Sequence, residues 1–187
     1  MNIHFDPANE LFQIDGITEE IRTHLGLALE LVLISFGGYE NSTEKTFEET
    51  KLEILEMETR HSWQVRCEGF ESIELAKAKG IVEEQMVIAR DLMGKIQQSS
   101  TTLLVTEEDL VIILSGFGIV ERIVLDEGFG HSLISSYNKN PKKFGTYSDH
   151  IQSQDPASFF KSHPTILSNL AIEAINALGL QPTQFHI

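Results

Sequence analysis

The densest run of reactive side chains in this 187-residue sequence is Asp126-Glu127-Gly128-Phe129-Gly130-His131-Ser132. A carboxylate, an imidazole and a hydroxyl are the parts of a base-activated nucleophile, in which histidine takes the serine proton and the carboxylate orients the ring. If the protein is an enzyme, a small hydrolase or transferase is the class these parts imply, with Asp126, His131 and Ser132 as its catalytic residues. Sequence neighbours do not make a triad, however, because its members must converge from different elements. The glycines also have a plainer reading. Gly116-Phe117-Gly118 and Gly128-Phe129-Gly130 repeat one tripeptide at either end of an apolar run, as two structural turns would. Neither tripeptide has the third glycine of a dinucleotide loop, and no Gly-Lys-Ser/Thr phosphate loop occurs, so no cofactor is expected.

Other reactive side chains point less far. Cys67 could serve as a nucleophile beside a histidine, but it alternates in phase with Trp63 and Val65, which places it on the apolar side of a strand as a small core residue. His131, His150, His163 and His186 fall in the last third of the chain with Asp126, Asp149 and Asp155. Their spacings fit no helical ligand pair, and no metal site is expected. Lys139, Lys142 and Lys143 surround Pro141 and interleave with Tyr137, Phe144 and Tyr147. Such a loop could hold an anionic ligand or dock on a partner, although a solvated loop needs no explanation.

Charge says more than any motif. Fourteen Lys and Arg against 28 Asp and Glu give a formal net charge of −14, a field that repels nucleic acid and anionic membranes. The acidic excess sits early: residues 1–38 hold six acidic groups against Arg22 alone, and 40–91 hold thirteen against seven. Glu44, Glu48 and Glu49 lie in or beside a polar stretch, Tyr39 to Thr46, that reads as a surface connection. The expected function is a non-catalytic one: an inhibitor, immunity-type protein or adaptor that engages a basic partner protein through these glutamates, with Lys139, Lys142 and Lys143 as a second binding cluster. A small-molecule sensing domain is a third possibility. No motif is specific enough to name a reaction.

Those residues must be positioned by a fold of modest size. With 41% apolar residues, 187 residues suffice for one sizeable core, so the expectation is a single domain over 1–187. One cysteine excludes an internal disulfide and fits a reducing compartment. The N-terminal residues lack a signal-peptide pattern, and Leu25 to Phe36, the longest apolar run, is too short to span a bilayer. A cytoplasmic protein is expected. Its oligomeric state is open.

The predicted class is α+β. Residues 2–5 and 11–14 alternate around Asp6-Pro7-Ala8-Asn9 and predict a hairpin. A buried helix runs from Thr18, its cap, to Gly37-Gly38. Residues 50–58 and 62–69 read as a second hairpin, with a helix as the alternative for the first arm. A long helix spans Ser72 to about Gln98. Strands are predicted at 103–106, 110–115 and 119–125, joined by Glu107-Glu108-Asp109 and Gly116-Phe117-Gly118 into a meander. Residues 138–155 read as a long loop. The final helix opens near Pro164, stops at Gly179, and buries the stripe Ile166, Leu170, Ala174 and Leu178.

Overall fold

Asp6 makes the first reversal of the chain. Its carboxylate accepts from the Ala8 N–H at 2.9 Å and from the Asn9 side-chain amide at 2.7 Å, a local bonding pattern that aspartate favours in turns. Glu10 completes the turn at φ 55. The flanking strands, β1 (Asn2–Asp6) and β2 (Leu11–Asp15), pair antiparallel with Ile3 opposite Ile14 and Phe5 opposite Phe12. The predicted hairpin is therefore present. The computed structural model describes residues 2–37, 43–49, 52, 74–125, 128, 131, 135 and 164–179.

Helix α1 (Glu19–Gly37) begins where Thr18 Oγ1 accepts the Ile21 N–H at 3.2 Å, satisfying one of the donors that a helix start leaves open. Every residue from His24 to Ile34 is buried. A helix that is apolar on nearly all sides needs neighbours on several faces, and α1 has them in α2 (Leu75–Gln98) and α3 (Glu107–Leu125). Arg22 ties α1 to the end of α2. Its guanidinium donates to the carbonyls of Ile96 at 3.2 Å, Ser99 at 2.8 Å and Ser100 at 2.7 Å, where a terminating helix leaves acceptors unfilled.

After α2 the chain enters β3 (Thr102–Val105), which pairs antiparallel with β2. The sheet order is β1-β2-β3. Ile3, Phe12, Ile14, Leu103 and Val105 are buried with α1, α2 and α3 in the main core. The class is α+β, with an antiparallel three-stranded sheet packed against helices.

The strands predicted at 110–115 and 119–125 are instead one helix, α3, so the sheet takes its first two strands from the N-terminal hairpin. Three features explain the difference, two of them local. Thr106 and Asp109 form a reciprocal cap: Thr106 Oγ1 accepts the Asp109 N–H at 3.1 Å, and Asp109 Oδ2 accepts the Thr106 N–H at 3.0 Å. Glu107, Glu108 and Asp109 are thus a first helical turn, where acidic groups favour the helix dipole, rather than a hairpin loop. Gly116 lies inside the helix, and a Cβ there would stand 3.3 Å from the Ala28 Cβ, so the glycine permits close approach of α1.

Two further expectations change. The connection predicted over Tyr39 to Thr46 ends in a helical segment, residues 44–49. Leu52 is helical as well, against the predicted strand over 50–58 and in line with its helical alternative. The other residues of that hairpin, Cys67 among them, and the loop at 138–155 lie outside the described residues. Helix α4 (Pro164–Ala177) runs as predicted, with Gly179 at φ 68 just past it. Of the predicted stripe Leu170 and Ala174 are buried, whereas Ile166 and Leu178 are only partly buried, and Ala171 and Ile175 are buried beside it. Helix α4 packs against α3, β1 and α1, which satisfies the expected packing on the sheet. Among the described residues no helix is long and apolar enough to cross a membrane.

Candidate functional site: an anchored acidic segment

The 44–49 segment is built by its own sequence. Thr43 Oγ1 accepts the Thr46 N–H at 3.3 Å, Thr46 Oγ1 accepts the Thr43 N–H at 2.9 Å, and the Phe47 N–H reaches the Thr43 carbonyl at 2.9 Å. Two threonines three residues apart thereby start a helical turn by capping each other, a variant of the capping box. Phe47 fixes where the turn sits. It is 1% exposed and forms a small apolar cluster with Leu75 and Ala78 at the start of α2, separate from the main core among the described residues.

With Phe47 directed inward, Glu44, Glu48 and Glu49 are all exposed. The Lys45 Nζ lies 3.7 Å from the Glu49 carboxylate, a solvated pair of small energetic value. Glu74, next to the anchoring Leu75, is exposed too. The expectation that these glutamates lie at the surface therefore holds. The anchor, Phe47, is the residue that sequence reasoning misses, and its signal is a lone aromatic in a polar run.

The other predicted site residues are not brought together among the described residues. His131 is helical and exposed, as is Gly128, so the second Gly-Phe-Gly tripeptide begins in helical backbone rather than in a turn. Asp126, Ser132, Lys139, Lys142, Lys143, His150, His163 and His186 lie outside the described residues. No group of three or more His, Cys, Asp or Glu that could hold a metal ion occurs among the described residues.

A second polar cluster lies on the open face of the sheet. Asp15 Oδ1 accepts from the Gln13 side-chain amide at 2.9 Å and from the Thr102 hydroxyl at 3.0 Å, and His4 Nδ1 is 3.6 Å from Oδ2. Donation by Gln13 and Thr102 favours the charged carboxylate and holds the Asp15 pKa below its ordinary value, with a smaller contribution from His4. The cluster joins all three strands on a half-exposed surface, where it supports their pairing.

Among the described residues three buried ones are polar or charged: His24, Glu30 and Asp109. Asp109 is accounted for by its cap and by an ion pair with Lys95. His24 Nδ1–H donates to the Glu20 carbonyl at 2.7 Å. Glu30 is fully buried in α1 and engages in a polar or electrostatic interaction, as a carboxylate inside a core must. In the sequence its only sign is the interruption of the run Leu25 to Phe36.

No protein-family model, curated protein or solved structure matches the chain. The class defined by the fold is α+β.

Proposed function

We propose that this protein is a non-catalytic binding domain that engages a basic partner protein, in the manner of an inhibitor, an immunity-type protein or an adaptor. The observation that carries the reading is the anchored segment: Phe47 is buried against Leu75 while Glu44, Glu48 and Glu49 face solvent. A formal charge of −14 adds a long-range field that draws cationic surfaces and repels polyanions. Charges held on a short anchored helix cost less conformational entropy on binding than the same charges on a free loop.

The partner is thus defined by chemistry: a protein presenting clustered Lys or Arg. Affinity capture from the native host, with the wild-type chain and a Glu44→Lys/Glu48→Lys/Glu49→Lys variant as matched baits, tests the reading. The expected result is a basic protein retained by the wild type and depleted on the variant. Equal recovery of every bound protein on the two baits contradicts the role of the segment.

A further inference from the structure

We draw no further inference here: the strongest candidate, the outer edge of strand β1 with its half-exposed Phe5, has no partner strand among the described residues, but nothing in the structure shows what covers it.

Discussion

Phe47 and Leu75 meet, with Ala78, in an apolar cluster that is distinct from the main core among the described residues, and this contact anchors the segment that displays Glu44, Glu48 and Glu49. Phe47→Ala removes that anchor. Truncating a buried Phe costs about 3–5 kcal/mol where the loss is felt globally. A satellite cluster can instead release its segment while the remainder stays folded. Hydrogen exchange should show faster exchange over 44–49 and the first turn of α2, with protection retained around Leu92 and Ile96. Unchanged protection at 44–49 would show that the anchor lies elsewhere.

Gly116 sets the distance between α1 and α3. Gly116→Leu forces side-chain atoms toward Ala28, whose carbonyl oxygen stands only 3.3 Å from where a Cβ at position 116 would lie, and overpacking of this kind costs about 1–3 kcal/mol. Gly80→Ala is the control, since nothing lies within 4 Å of its Cβ position and it sits inside a helix. That change should stabilise by about 0.5–1 kcal/mol. Urea unfolding checks both, and a neutral Gly116→Leu would mean that the helices are not in close contact there.

The reciprocal cap of α3 separates a helix from the hairpin loop that its sequence resembles. Thr106→Ala should cost about 0.5–2 kcal/mol through loss of the cap. Asp109→Ala should cost more, because Asp109 is 2% exposed and also pairs with Lys95. Thermal unfolding of the two variants measures this order, and equal, negligible losses would argue against the cap.

Much of the fold could be read from local signals, and the errors share one cause. Thr18 through its hydroxyl, Pro164 and Gly179 mark helix ends by short-range chemistry, and the turn at Asp6 is equally local. The run from Leu110 to Leu125 is apolar almost throughout, so neither alternation nor a helical stripe is visible in it. Gly116 and Gly118 then look like a turn, although the need for Gly116 comes from Ala28, far earlier in the chain. The exposure of Glu44, Glu48 and Glu49 followed from polarity, whereas the anchoring of Phe47 depends on contact with Leu75 and Ala78 across a long intervening segment.

Acid should weaken the sheet through Asp15. Hydrogen bonds from Gln13 and Thr102 depress its folded-state pKa below the unfolded value of about 3.9, so its contribution is complete above that pH. The contribution is lost as pH falls through the lower, folded value. Asp15→Asn should therefore reduce stability at pH 6, and the gap between variant and wild type should close below about pH 3.9. Urea midpoints from about pH 2 to 6 give the profile. A gap that persists unchanged to the acid end of that range would assign the loss to geometry rather than to charge.

The glutamates of the anchored segment are proposed to steer a basic partner. The measurement that tests this most directly is the association rate constant of the captured partner with wild-type and Glu44→Lys/Glu48→Lys/Glu49→Lys protein, taken across ionic strength. Steering of this kind raises association rates by about 10-fold or more at low salt. It fades as the screening length shrinks to about 8 Å at physiological ionic strength. The predicted result is an association rate at least about tenfold lower for the variant at low salt, converging with wild type as salt rises, while dissociation changes less. Equal association rates at every ionic strength, with both proteins folded, would contradict the account.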